Sequence, residues 1–301
     1  MTIAIQGLGK MGMQITQKLL SDNHQVIAYD LNSDFMTEAA NLGAMTVGDK
    51  RELIENFKSD RVIVWMMIPS EYVKNEIDEW IKILPEKSLI IDGGNSNFKD
   101  TIENAKNIET INCSMLDVGT SGGVHGLKNG FSMMVGGNNA DDFSFIEPIL
   151  ASLAKPEGDY KYFGQAGSGH YVKMIHNAIE YGMMESLAEG FNLLKNGPMP
   201  GIDLANAATV WQHHSVITSW LNELCVDIFS ENPELDGIEG YVAESGEARW
   251  TIQMAKDLQI DTPAIEAAFN VRLESQQGKI SFTTKLLAAM RNSFGGHKIN
   301  K

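Results

Sequence analysis

The sequence predicts an α/β chain in two parts, a doubly wound N-terminal domain over residues 1–163 followed by an all-α domain over residues 164–301. Three observations carry this. Short apolar runs alternate with helical patterns up to Phe163, the first turn between them reads Gly-x-Gly-x-x-Gly, and beyond Gly164 every periodic segment has helical spacing. With 301 residues, 43% hydrophobic and 21% charged, the chain has ordinary folded composition and room for two cores.

In chain order, Thr2 to Gln6 is a short apolar strand that runs into Gly7-Leu8-Gly9-Lys10-Met11-Gly12 and then a helix to about Ser21. The first glycine allows the tight turn, the second lets a pyrophosphate approach backbone N–H groups, and the third permits close helix-to-strand packing. This is the turn of a Rossmann domain. Gln25 to Asp30 reads as the second strand, ended by Asp30, whose carboxylate can accept both hydroxyls of an adenosine ribose and would repel a 2′-phosphate. NAD is therefore expected over NADP, and a solvated strand-end aspartate is the alternative. Arg61 to Met67 reads as a strand buried on both faces, with Met67 and Ile68 at the carboxyl edge where such sheets bind ligands. Glu71 to Leu84 follows as a helix. Ser88 to Ile91 opens into Asp92-Gly93-Gly94-Asn95-Ser96, where Asn95 is either a ligand or a turn former. Thr110 to Leu116 is the next strand, and Asp117 to Gly126 is expected as an exposed glycine-rich loop whose N–H groups cradle an anion, with Ser121 as a donor beside Gly122 and Gly123. Phe131 to Val135 and a helix from Asn139 to Leu153 close the first domain.

A long helix from Ser168 to Gly197-Pro198 then places Lys173, His176, Asn177, Glu180 and Tyr181 at offsets 0, 3, 4, 7 and 8, on one face. Apolar residues such as Val172, Ile175, Ile179, Met183, Leu187 and Phe191 occupy other sides, so the helix is expected to be largely buried with a polar stripe. Burying those groups costs several kcal/mol unless they are paired or line a wet cavity. Lys173 and Glu180 stand about 10 Å apart along the axis, too far to pair and suited to flank a small substrate. A solvated helix face is the bland alternative. Further helices are expected at Asp203 to His213, Val216 to Phe229, Arg249 to Leu258, Thr262 to Ser275 and Phe282 to Ser293.

A net charge of −15 argues against nucleic acid or an anionic membrane as partner. No apolar run reaches the about 18 residues of a membrane span, and no basic segment precedes a long apolar run, so a cytoplasmic protein is expected. Cys113 and Cys225 lack the spacing of a disulfide scaffold or a zinc site, His213-His214 has no third ligand, and no metal is expected. An anionic metabolite requires a local cationic cluster.

The Gly-x-Gly-x-x-Gly turn, Asp92 to Ser96, Ser121-Gly122-Gly123 and the run Lys173, His176, Asn177, Glu180, Tyr181, Gly182 together resemble the 6-phosphogluconate dehydrogenases, a decarboxylating family, across essentially the full chain. Wider β-hydroxyacid dehydrogenases share the glycine motif, the Ser-Gly-Gly loop and a Lys…Asn pair, but not the His-Asn-x-x-Glu-Tyr-Gly continuation. At this length the chain resembles the family's short form. The resemblance implies conversion of 6-phosphogluconate to ribulose 5-phosphate and CO₂ with NAD, cofactor contacts from Gly7, Leu8, Gly9, Lys10, Met11, Gly12, Asp30, Met67, Ile68 and Asn95, and a phosphate site from Tyr181, Arg249, Thr251 and Arg272. Arg249 stands where the family usually has lysine. Arg291 and His297 resemble the family's tail, which completes the phosphate site of a neighbouring subunit, so a homodimer or homotetramer is implied.

In the implied chemistry Lys173, held neutral by burial, takes the proton of the substrate 3-hydroxyl and then, protonated, polarises the resulting ketone as CO₂ departs. Glu180 returns a proton to the carbon that lost CO₂. Ser121, Gly122 and Gly123 hold the departing carboxylate, while Asn95, His176 and Asn177 orient the hydroxyls and the base. Two alternatives stay open, a non-decarboxylating β-hydroxyacid dehydrogenase, which has no task for Glu180, and a dinucleotide-binding regulator with a degenerate site.

Overall fold

Strand β1 (Thr2–Gln6) sends Ile3 and Ile5 into one apolar core and Ala4 into a second, as a strand covered on both faces must. The computed structural model describes residues 1–57 and 61–296. It forms two compact units, Met1–Met174 and Ile175–Lys301. In the first unit β1 is followed by α1 (Lys10–Ser21), β2 (Gln25–Tyr29), α2 (Ser33–Asn41), β3 (Met45–Thr46), α3 (Lys50–Glu55), β4 (Ile63–Met66), α4 (Ser70–Trp80), β5 (Leu89–Asp92) and α5 (Phe98–Glu109). Then come β6 (Ser114–Ser121), a 3₁₀ turn (Gly123–His125), α6 (Gly126–Asn129), β7 (Ser132–Gly137), α7 (Ala140–Ala154) and β8 (Tyr160–Tyr162). The strands lie in the order β3-β2-β1-β4-β5-β6-β7-β8, parallel throughout except for the antiparallel pair β6 and β7. The order reverses between β1 and β4, the switch point where doubly wound sheets hold ligands.

Two expectations shift here. The strand predicted from Thr110 begins at Ser114, because α5 runs on to Glu109 and Asn112 takes a left-handed turn (φ 55°) before the strand starts. Asp117 to Ser121, expected in an exposed loop, continue β6 and pair with β7 in register Asp117↔Gly136 through Ser121↔Ser132. Gly119 is buried, and an added Cβ would collide with the Lys173 side chain, so this glycine admits the close approach of a helix rather than forming an exposed cradle.

Helix α8 (Ser168–Asn196) is followed in the second unit by α9 (Leu204–Gln212), α10 (Trp220–Glu231), α11 (Glu247–Asp257), α12 (Pro263–Gln276) and α13 (Phe282–Gly295). Asp203 caps α9, Ser219 caps α10, and Ser281 with Thr284 forms a capping box on α13. The expected helix from Val216 therefore starts later, at Trp220, and Val216 is fully exposed. Met184, Ala188, Phe191, Leu224, Cys225, Leu286, Leu287 and Met290 share one core. Ile179 and Met183 of α8 are exposed instead of buried.

Candidate active site

The glycine turn is shaped by what it touches. Gly7 adopts φ 92°, and an added Cβ would come within 2.5 Å of the Met67 carbonyl oxygen. At Gly12 a Cβ would strike the Gly7 carbonyl, whereas at Gly9 it would meet nothing within 4 Å. The loop is thus closed toward β4 and open at its middle glycine, the side a pyrophosphate needs, with Gly9 as the N-cap of α1. Asp30 lies at the end of β2, where Oδ2 accepts the Leu8 N–H at 2.6 Å and Oδ1 accepts the Asn32 N–H at 2.8 Å. Each oxygen retains a further lone pair. Met67 and Ile68 are half-buried, while Lys10 and Asn95 are exposed. A dinucleotide fits these residues.

Sequence reasoning missed Asp117. Wholly buried in β6, it accepts the Gly167 N–H at Oδ1 and the His170 N–H at Oδ2, both at 2.8 Å, at the head of α8. A carboxylate there satisfies two open N–H groups and meets the positive end of the helix dipole. His170 is tied in turn to Thr101 by a 2.8 Å bond from Nδ1. One turn further along α8, Lys173 is buried against Gly119. We expect Asp117→Asn to replace one acceptor by a donor facing an N–H, costing about 1–3 kcal/mol in urea unfolding and lowering kcat with dinucleotide affinity unchanged. A stability and kcat equal to the parent's would remove Asp117 from this role.

In the second unit the polar stripe continues with His176 and Asn177, both half-buried, whose Nδ1 and Oδ1 are 3.0 Å apart. Asn177 Nδ2 donates to Glu247 Oε1 at 2.9 Å. Glu180 is half-buried and Tyr181 is buried, its hydroxyl without a hydrogen-bond partner among the described residues. The Arg272 guanidinium lies over the Tyr181 ring at 3.2 Å from its centroid and is 1% exposed. Burial pulls Arg272 down to about 10, with the Arg291 charge adding to it, while Tyr181, Glu180 and Glu185 oppose the shift. Burial also lowers Arg291, against the pull of Tyr181, Glu180 and Glu247. Both arginines stay cationic at neutral pH. Neither forms an ion pair with a carboxylate among the described residues.

Arg291, which the resemblance puts in a neighbour's site, thus lies within electrostatic range of its own chain's Tyr181 and Glu180. Arg249, expected in the same cluster, is exposed and ion-paired to Glu244 at 2.6 Å. Thr251 is buried and donates its hydroxyl to the Glu247 carbonyl at 2.8 Å. His297 lies outside the described residues. Sequence reasoning also passed over two buried carboxylates, Glu185 and Glu247. Burial and the charge of Glu189 push Glu185 up to about 7, and Arg272 pulls the other way. Ser121, Gly122 and Gly123 stand together at the end of β6, with Gly122 at φ 137° and Gly123 at φ 52°.

Comparison with known proteins gives this arrangement its family. The family profile described as the NAD binding domain of 6-phosphogluconate dehydrogenase matches residues 2–167, and that described as the 6-phosphogluconate dehydrogenase C-terminal domain matches residues 169–280. The chain belongs to the 6-phosphogluconate dehydrogenase family. A Bacillus subtilis protein named provisionally for that activity is 39% identical over 100% of both chains. The NAD(+)-dependent, decarboxylating 6-phosphogluconate dehydrogenase of Haloferax volcanii is 34% identical over 99% of this chain and 98% of its own. The Plasmodium falciparum 6-phosphogluconate dehydrogenase structure matches with TM-score 0.79 at 25% identity, covering 100% of this chain and 66% of that one. A Salmonella typhimurium 3-hydroxyisobutyrate dehydrogenase shares the fold, with TM-score 0.76 at 20% identity over 95% of this chain and 99% of that one. The family makes the chain an oxidoreductase with an NAD(P)-binding domain. Among the described residues no helix is long and apolar enough to cross a membrane.

Proposed function

We propose that the chain converts 6-phosphogluconate to ribulose 5-phosphate and CO₂ with NAD as hydride acceptor. The observation that carries this reading is the pair of buried arginines, Arg272 and Arg291, beside a Tyr181 hydroxyl without a hydrogen-bond partner among the described residues. Two desolvated cations without a carboxylate ion pair among the described residues are costly alone and suit a dianionic phosphate held by charge-assisted bonds. They also supply the local cationic cluster that a chain of net charge −15 needs in order to bind an anion.

Gly7 to Gly12 and Asp30 would hold NAD, which when bound would supply hydride acceptance at the substrate carbon that bears the 3-hydroxyl. Lys173 takes the hydroxyl proton as the carbonyl forms, then donates a hydrogen bond to that carbonyl oxygen. The electrons of the breaking carbon–carboxylate bond flow toward the polarised ketone as CO₂ leaves. Glu180 supplies a proton to the carbon left behind. Ser121, Gly122 and Gly123 hold the carboxylate, and Asn95, His176 and Asn177 orient the hydroxyls; Thr251 and Arg249 stand at the edge of the phosphate region. A cytoplasmic setting and a homodimer or homotetramer, with Arg291 and His297 on the tail, go with this reading.

The test is an initial-rate assay with 6-phosphogluconate, following NADH and CO₂ together and comparing NAD with NADP. NADH without CO₂ transfers the chain to the non-decarboxylating β-hydroxyacid dehydrogenases; no turnover with either cofactor removes the reading altogether. The name of the Haloferax relative supports NAD, as does the acceptor-only chemistry of Asp30. Asp30→Ser is expected to weaken NAD by about tenfold to a hundredfold, the worth of one or two lost bonds to a charged acceptor, and to spare NADP. A parent enzyme that already favours NADP contradicts the role given to Asp30.

A further inference from the structure

Glu185 stands one turn beyond Tyr181 on the same side of α8, is 6% exposed, and has no hydrogen-bond partner for either carboxyl oxygen among the described residues. The chemistry above gives it no task. Arg272 of α12 lies within electrostatic range, yet the guanidinium gives a donor to the Met184 thioether at 3.5 Å and its face to the Tyr181 ring. Glu185 and Arg272 form no ion pair among the described residues.

Two buried groups of opposite charge that do not join must settle their protons separately. Arg272 keeps its proton near neutrality, so Glu185 is the member that adjusts, and desolvation without a donor favours its neutral acid. Burial, with the charge of exposed Glu189 on the next turn, pushes Glu185 up to about 7, and Arg272 of α12 pulls it down. Tyr181 and Glu180 of α8 and Arg291 of α13 complete the set that faces Arg272. A dianion bound at Arg272 would occupy the guanidinium's donors, cancel the charge that favours ionised Glu185, and repel that ion directly. The linkage is reciprocal, so ionised Glu185 weakens the dianion by the same factor.

We propose that Glu185 is a positioning residue of the phosphate site that acts through Arg272. Protonated, it leaves the guanidinium charge to a phosphate dianion; ionised, it takes that charge for itself. The phosphate end of the substrate therefore binds with uptake of a proton from solvent and loosens as pH rises past neutrality. This rests on the reading that Arg272 holds the 6-phosphate, and adds the protonation state in which it does so.

The test uses the full-length protein and sulfate, a tetrahedral dianion that does not itself titrate near neutrality. The variants are Glu185→Gln, an isostere of the protonated acid, and Arg272→Met. In titration calorimetry the parent's sulfate affinity is expected to fall about tenfold between about pH 6 and pH 8.5, the worth of a one-unit shift in the Glu185 midpoint on binding. Glu185→Gln should stay within about twofold over that range. Near neutrality, two buffers of different ionisation heat should show proton uptake by the parent on binding and none by Glu185→Gln. Without ligand, the parent should lose stability in urea relative to Glu185→Gln as pH rises. The benefit of the neutral acid is complete below the ordinary midpoint of about 4.5 and gone above the folded one of about 7. Parallel sulfate profiles for parent and Glu185→Gln, with binding lost in Arg272→Met, overturn this proposal and leave the phosphate site in place. A urea gap that does not widen also overturns it, because Glu185 is then already ionised. Sulfate that binds Arg272→Met as well as the parent, or fails to bind the parent, removes the phosphate site and this proposal together. Sulfate affinity is read without turnover, so a parent that binds it as expected but leaves 6-phosphogluconate unoxidised sinks the functional reading alone.

Discussion

Lys173→Met is expected to lower kcat by about a thousandfold or more, because one amine serves as base for the hydroxyl and as the cation that polarises the ketone. The fold should survive. The Lys173 stem is buried where Gly119 makes room for it, and methionine offers an unbranched apolar stem of similar reach. Stability in urea and dinucleotide binding by fluorescence should therefore match the parent within about 1 kcal/mol. Lys173→Arg separates the two tasks, since guanidinium keeps the charge but does not surrender a proton near neutrality. It should remain as inactive as the methionine variant. A methionine variant retaining more than a small fraction of the parent rate, measured as NADH formation, would remove Lys173 from the chemistry.

The parts of this site that were legible in the sequence are those whose meaning is local. Gly7 to Gly12 declares its turn by spacing, and the offsets from Lys173 to Tyr181 place those residues on one side of α8 without any tertiary information. The parts that were not legible depend on what another element brings near. Asp117 reads as a polar residue ahead of a glycine-rich stretch, and only the approach of Gly167 and His170 makes it the buried acceptor at the head of a helix. Glycines at 119 and 136 look like loop formers. In the structure they lie in paired strands, where added Cβ atoms would meet Lys173 at one and the Asp117 carboxylate and Gly169 N–H at the other. Thr110 and Ile111, strand formers by type, fall in the turn that closes α5. Glu185 and Glu247 have ordinary helix spacing and no motif. Both are buried, Glu185 within electrostatic range of Arg272 on α12 and Glu247 within range of Arg291 on α13, proximities that appear only once those helices pack.

Arg272→Met carries the second large effect, and its sign depends on which substrate is offered. If Arg272 holds the 6-phosphate, removing it should lower kcat/KM for 6-phosphogluconate by about a hundredfold to a thousandfold, the loss of a buried charge-assisted contact. Unphosphorylated gluconate, a poor substrate in either case, should be turned over equally by parent and variant. The ratio between the two substrates is the measurement, because a merely structural role would depress both. Stability runs the other way. Arg272 is desolvated, is held down to about 10 by burial, and has no ion-pair partner among the described residues, so methionine at that position should leave the fold equally stable or more stable. Inorganic phosphate supplies an independent check: it should raise the parent's Tm through binding to the native state alone, and fail to raise the variant's. An equal loss for both substrates, or a phosphate-dependent Tm shift that persists in the variant, would move the phosphate away from Arg272 and with it the argument from buried cations to a phosphorylated sugar acid.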